Sequence, residues 1–251
     1  MTGVCQLRAH AEERNKNTAA PNIHVHLLFM NPTVSQIPAA AKFRLLCPGF
    51  CSTLPPSMNP SFKTYSEWLA TRRSKLSRGG LWLEGREPGR PDPAGFDTAK
   101  LKILICRLSP YEDVLASITH RILLHAAQSV PGVFADLAFF PSESDALVMR
   151  QDDVPFWLAT GCKRPPADFD VVAISLSVQQ EAIHLPLALK QSGLQLDFEG
   201  RMAAERHPFL LLGGHGAASV PFLHGDANGP GTGGLVDAVC RGDGITWLRE
   251  C

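Results

Sequence analysis

Several features are missing from this sequence, and each absence closes off a class of protein. No apolar run approaches the ~18–20 residues a membrane-spanning helix requires. The stretch from Asn22 to Met30 is too short and too rich in histidine for the apolar part of a secretion signal. Basic runs are scarce too: none is longer than Arg72-Arg73, which argues against nucleic-acid binding. The seven cysteines, an odd number scattered from Cys5 to Cys251, do not make the framework of a small secreted domain and point to a reducing, cytoplasmic compartment. No G-x-S-x-G elbow occurs, so a hydrolase of that type is unsupported. Cys47-Pro48-Gly49-Phe50-Cys51 has a CxxxC spacing, but position 54 is Leu54, and the further ligands a zinc or iron–sulfur site needs are not supplied. His24-Val25-His26 alternates along a possible strand and reads as solvent-facing.

Net charge is also lacking, but the zero is a sum of opposites. Residues 1–100 carry 13 Lys/Arg against 7 Asp/Glu, and residues 101–251 carry 11 against 17, so +6 meets −6 near residue 100. Two kinds of sequence are joined there. Residues 1–57 show no sustained period of 3.6 or 2, and they read as a disordered or non-domain extension, with Met58 a possible start. Residues 58–100 read as one short helix and a Pro/Gly linker. Thr64-Tyr65-Ser66-Glu67 is a candidate capping box, Trp68, Leu69, Arg72 and Leu76 follow at helical spacing, and Gly79-Gly80 ends the pattern. Gly85 to Gly95 then holds Pro88, Pro91 and Pro93.

From Leu101 onward the pattern is regular, with apolar β-rich runs alternating with helical stretches, the signature of a parallel sheet covered on both faces. Strands are predicted near Lys102–Cys106, Val133–Phe139, Val171–Ser175, Phe209–Leu212 and Val236–Cys240. The fold class is α/β: a five-stranded, doubly wound parallel sheet, flavodoxin-like in strand order, over residues 101–251. Ser109-Pro110-Tyr111-Glu112 reads as a capping box set on the end of the first strand, opening a helix with Val114, Leu115, Ile118, Ile122, Leu123 and Ala126 on its buried stripe. A second helix is predicted over Ser142–Arg150, capped by Ser142, and a third over Gln179–Ser192, kinked or divided by Pro186. Right-handed crossovers place every strand end on one edge, where ligands of such sheets bind.

The candidate site residues gather on that edge. Ser109 stands at the first helix start. Ser175-Leu176-Ser177 ends the third strand, with hydroxyls placed either to meet a ligand or to cap the helix at Gln179. Gly213-Gly214-His215-Gly216 follows the fourth strand, where the glycines serve a close ligand approach or a tight turn. Gly242-Asp243-Gly244 closes the fifth strand, as ligand-edge packing or as a turn in which Asp243 bonds its own backbone. Gly229-Pro230-Gly231-Thr232-Gly233-Gly234 fits G-x-G-x-x-G literally but precedes a strand, so it reads as a decoy. Lys163-Arg164, in a stiff turn downstream of Trp157, reads as solvated charge, with a phosphate or a partner domain as the alternative.

Taken together, the strand entering Leu108-Ser109-Pro110, the run Asp168-Phe169-Asp170-Val171-Val172-Ala173-Ile174-Ser175, the Phe209–Gly214 strand-turn and the closing Val236–Gly244 resemble the N-terminal cobalamin-binding-type domain of radical SAM proteins. The resemblance covers roughly residues 100–244. It implies a corrinoid, or a vestigial corrinoid cleft, against Leu108, Ser109, Ser175, Leu176, Ser177, Gly213, Gly214, His215, Gly242, Asp243 and Gly244. It also implies a radical SAM barrel in cis or in trans as partner. No Asp has a His two positions later, so the motif that supplies a lower axial ligand to cobalamin is missing. The CxxxCxxC triad of the iron–sulfur cluster is missing too, so [4Fe–4S] and S-adenosylmethionine are expected only in a full-length relative. The chain is accordingly read as an accessory domain, not catalytic alone, with the barrel expected to begin where Cys251 ends the sequence. Two rival readings stay open: a ligand-free Rossmann-like interaction module docking a partner, and a nucleotide-binding domain using Gly213–Gly216.

Overall fold

The computed structural model describes residues 61–204, 206–217, 234–240 and 242–250, together with two short strands, Gln6–Ala9 and Val25–Leu28, that pair antiparallel. Most of residues 1–57, including the CxxxC stretch, lies outside the described residues, as does the glycine-rich loop before Gly234.

The apolar runs form five strands: β1 (Leu101–Arg107), β2 (Val133–Ala138), β3 (Val171–Ser175), β4 (Phe209–Gly213) and β5 (Ala238–Val239). All pair in parallel, in the order β2-β1-β3-β4-β5. Ile103 and Leu104 are neighbours in β1 facing opposite sides, and both are fully buried. A strand covered on both faces has no reason to alternate, which is why the run is continuously apolar. The observed β5 is shorter than the predicted Val236–Cys240. Backbone bonds from Asp237 N to Leu210 O (2.8 Å) and Cys240 N to Leu212 O (2.7 Å) continue the contact around it. Asp237 is also tied sideways, accepting from Arg201 Nε (2.8 Å) and Leu210 N (2.7 Å).

The first crossover departs from its predicted form. Instead of one capped helix there are two, α2 (Tyr111–Val114) and α3 (Thr119–Gln128), and neither carries a side-chain cap. The break at Leu115–Ile118 resets the helical phase. Leu115, Ile118 and Ile122 therefore face solvent, while His120, Leu124, Ala126 and Ala127 are buried. Ser142 does accept from Asp145 N (3.4 Å) and opens α4 (Glu143–Gln151). Pro186 divides the third predicted helix, leaving a 3-10 turn over Gln179–His184 and then α5 (Leu185–Gln191), with the proline in its first turn. The short helix α6 (Phe198–Ala203) leads into β4, and α7 (Gly244–Glu250) packs beside α3.

Upstream of the sheet, α1 (Tyr65–Arg72) starts where Thr64 accepts from Glu67 N (3.1 Å), and Glu67 reaches back to Lys63 N (2.9 Å). Two buried tryptophans then anchor this segment to α4 and its end. Trp68 Nε1 donates to Asp152 (2.9 Å), which also takes a fork from Arg72 at 2.7 and 3.0 Å. Trp82 Nε1 donates to Asp145 (2.8 Å), which Ser77 N also reaches at 2.7 Å. Indole N–H and carboxylate satisfy each other away from water, so two polar contacts sit inside an apolar contact at low cost. The stretch that follows is tied to the end of α3 and to the loop before β3, with Gln128 donating to Gly89 O (2.9 Å) and Arg90 to Gly161 O (3.3 Å).

Arg72 holds the Asp152 carboxyl below its ordinary pKa, chiefly through their hydrogen bond, with Trp68 assisting. A carboxylate depressed in the folded state adds stability above its unfolded pKa of about 3.9 and gives it up as pH falls through the folded value. Asp152→Asn is therefore expected to lower stability at pH 7 while leaving the two proteins alike near pH 2. Urea unfolding across that range measures the difference, which should shrink steadily below about pH 4.

Candidate functional site

Five parallel strands deliver their carboxyl ends to one rim, and strand order reverses between β1 and β3. Ligands of open α/β sheets bind at such a point. Here β1 ends on Arg107 and β3 on Ser175, which are register partners. The arginine is 2% exposed. Its fork lies across the end of β3, with Nη1 donating to Ser175 Oγ (2.9 Å) and Nη2 to Ser177 Oγ (2.7 Å). Glu181, from the 3-10 turn after β3, supplies the counter-charge 4.0 Å from Nη2.

Glu181 is itself held from three sides. Ser109 Oγ donates to one carboxylate oxygen, and the N–H groups of Ser177 (2.7 Å) and Val178 (3.3 Å) donate to the other. The Ser109 hydroxyl is thus committed to Glu181 and does not cap α2. Ser177 accepts from Arg107 and does not cap the turn at Gln179. In both cases a charged group orients the hydroxyl: Ser109 turns its O–H toward the Glu181 carboxylate and Ser177 its lone pair toward Arg107. The wall around the network is bulky. Trp157 Nε1 donates to Arg107 O (3.1 Å), His184 Nδ1 meets Leu108 O (2.9 Å), and the His184 ring stacks on Phe140 with centroids 4.6 Å apart. Leu108 and Leu176 are fully buried. Burial pulls the Arg107 guanidinium below its ordinary pKa, and Glu181 opposes that pull.

The glycines of the rim also serve the chain itself. Gly214 has φ +105°, and a Cβ there would lie 2.4 Å from Leu176 O. Leu176 N donates to Gly213 O (2.8 Å) and Gly216 N returns to Leu176 O (3.1 Å), so two backbone segments are laced together at this turn. Gly214→Ala is expected to cost at least about 2–3 kcal/mol, from the left-handed backbone and the collision together, read as a lower urea midpoint. His215 beside it is exposed. At the fifth strand end, Asp243 accepts from Ile245 N (3.3 Å) and Thr246 N (3.0 Å), so the acidic residue between Gly242 and Gly244 caps α7.

A second polar cluster lies at the start of the first crossover. His120 is fully buried, with Nε2 3.5 Å from Glu87 and its ring edge-on to Phe139 at 5.4 Å. Burial lowers its pKa against the pull of Glu87. Tyr111, half-buried beside the same Glu87, is pushed up to about 12, by desolvation first and its hydrogen bond to Glu87 second. Lys163 and Arg164 are engaged locally. Arg164 reaches Asp97 (3.3 Å) and Asp168 (3.5 Å), and Lys163 folds over Thr160 O, with burial first and Arg90 second lowering its pKa to about 8. An open groove of about 360 Å³, lined by Arg90, Asp92, Gln128 and Val133 among others, sits at the amino end of β2, away from the rim. Among the described residues no cluster of three His, Cys, Asp or Glu is placed to hold a metal.

The structure thus brings Leu108, Ser109, Ser175, Leu176 and Ser177 together and sets Gly213-Gly214 against Leu176, while Gly242-Asp243-Gly244 forms a helix start. Arg107 and Glu181 are the residues that sequence reasoning missed. A charged residue closing a buried parallel strand demands a partner, and that was the available signal. The three hydroxyls are engaged with Arg107 and Glu181, and the space beside Gly214 is filled by Leu176 O.

Fold and rim define a doubly wound α/β domain of flavodoxin-like strand order. The chain belongs to the family described as "Radical SAM proteins, N-terminal", matched over residues 119–248, just over half of its length. That span begins with α3 and ends within α7, taking in β2 to β5 and Glu181. No curated protein and no solved structure matches the chain.

Proposed function

We propose that this chain is an accessory N-terminal domain of a radical SAM protein that holds no corrinoid at its switch point and acts as a docking module for a catalytic barrel. Family membership supports the radical SAM assignment. The ligand-free reading is carried by one observation: the buried Arg107–Glu181 network takes up the hydroxyls of Ser109, Ser175 and Ser177 that a cofactor would use. Reductive cleavage of S-adenosylmethionine needs three thiolates around a [4Fe–4S] cluster with one iron open, and no CxxxCxxC occurs in this sequence. The radical step therefore belongs to the barrel, and this domain contributes surface and orientation.

The test mixes the purified chain with excess hydroxocobalamin, desalts it and records the visible spectrum, with a parallel pull-down against a radical SAM barrel protein. A colourless domain that retains the barrel is the expected result. Equimolar corrinoid surviving desalting overturns the ligand-free reading, and failure to retain any barrel overturns the docking role.

A further inference from the structure

We infer that the switch-point crevice is a receptor for a guanidinium-type cation and carries that cation in cis, as the side chain of Arg107. This deepens the ligand-free reading above and rests on it. The carboxylate of this receptor is anchored by groups other than the arginine. Ser109 Oγ, Ser177 N and Val178 N orient the Glu181 carboxylate, while Ser175 and Ser177 present hydroxyl oxygens toward the same space. Glu181 is 7% exposed and Ser175 6%, so two of the acceptors are shielded from water, while Ser177 is half-buried. A lining of one carboxylate and two accepting hydroxyls selects a planar, donor-rich cation and repels phosphate.

The cis ligand leaves one of its three nitrogens unbonded: Arg107 Nε, on a side chain tethered at the end of β1, is buried and has no hydrogen-bond partner among the described residues. A free alkylguanidinium has no such tether. Removing the Arg107 side chain therefore leaves a site of matching charge and shape for it.

The experiment compares wild type with Arg107→Ala by thermal unfolding in methylguanidinium at millimolar concentration, with equal urea as the neutral control of the same shape. The variant should melt several degrees lower than wild type. Methylguanidinium should raise its midpoint saturably, urea should not, and wild type should show no saturable response. No saturable recovery, or the same response in both proteins, overturns the inference. Should the variant fail to fold, wild type decides the matter by phenylglyoxal labelling and peptide mapping. Arg107 should stay unmodified while Arg86 and Arg121, 64% and 44% exposed, react. Labelling of Arg107 at their rate overturns it. These readouts are separate from the corrinoid test: a domain that binds no corrinoid yet has a reactive Arg107 refutes the cis ligand alone. A domain that binds corrinoid with Arg107 protected refutes only the ligand-free reading.

Discussion

Replacing Glu181 by alanine is expected to destabilise the domain by about 3–5 kcal/mol, the cost of leaving a buried charge without its partner. Arg107 would keep two hydroxyls as acceptors but lose the carboxylate beside it, and the N–H groups of Ser177 and Val178 would lose their acceptor. Glu181→Gln separates these effects. Its amide oxygen still accepts from the backbone, so it should cost less than the alanine while still leaving Arg107 without a counter-charge. Urea unfolding of the three proteins gives the order wild type, Gln, Ala. An alanine variant within about 0.5 kcal/mol of wild type, the ordinary range for a surface change, would mean the network carries no weight.

Trp68→Ala should cost as much, about 3–5 kcal/mol for deleting a fully buried aromatic, together with the loss of its bond to Asp152. In a domain of this size that is a fall in melting midpoint on the order of 10 °C. The consequence is larger than a local cavity, because Trp68 and Trp82, together with Arg72 and Ser77, tie residues 61–83 to α4 and its end. Trp68→Phe keeps most of the ring volume and loses the N–H, and should cost about 1.5–3 kcal/mol, as for a hydrogen bond to a charged group. If Trp68→Ala leaves the midpoint unchanged, residues 61–83 do not fold as part of this domain.

The sheet was legible because its strands are buried on both faces, which leaves continuous apolar runs such as Ile103–Cys106 that no amphipathic helix produces. The caps at Thr64 and Ser142 were legible because donor and acceptor lie within one helical turn. Ser109 looks the same in sequence and behaves differently, since its competitor, Glu181, is 72 residues away. Local pattern carries no record of such a rival. The helix after β1 failed for a related reason: a break between Leu115 and Ile118 shifts the phase by part of a turn, and a stripe drawn through it includes the exposed Ile118 and omits the buried His120.

The rim was legible in position and illegible in chemistry. Chain order and crossover hand were enough to gather Ser109, Ser175 and Gly214 at one edge. What fills that edge depends on side-chain reach across strands, namely Arg107 over its register partner Ser175, and no spacing in the sequence expresses it. Gly214 makes the same point. Its turn was visible, but the atom that forbids a side chain, Leu176 O, becomes a neighbour only once β3 and β4 pair.

Amide hydrogen exchange at Ser177 and Val178 bears most directly on the closed rim. Both N–H groups donate to Glu181, so a sealed edge predicts slow exchange in the ligand-free protein, near the protection of β1 and β3, and no change on adding hydroxocobalamin. Fast exchange at both amides, slowed only when the corrinoid is present, would contradict it.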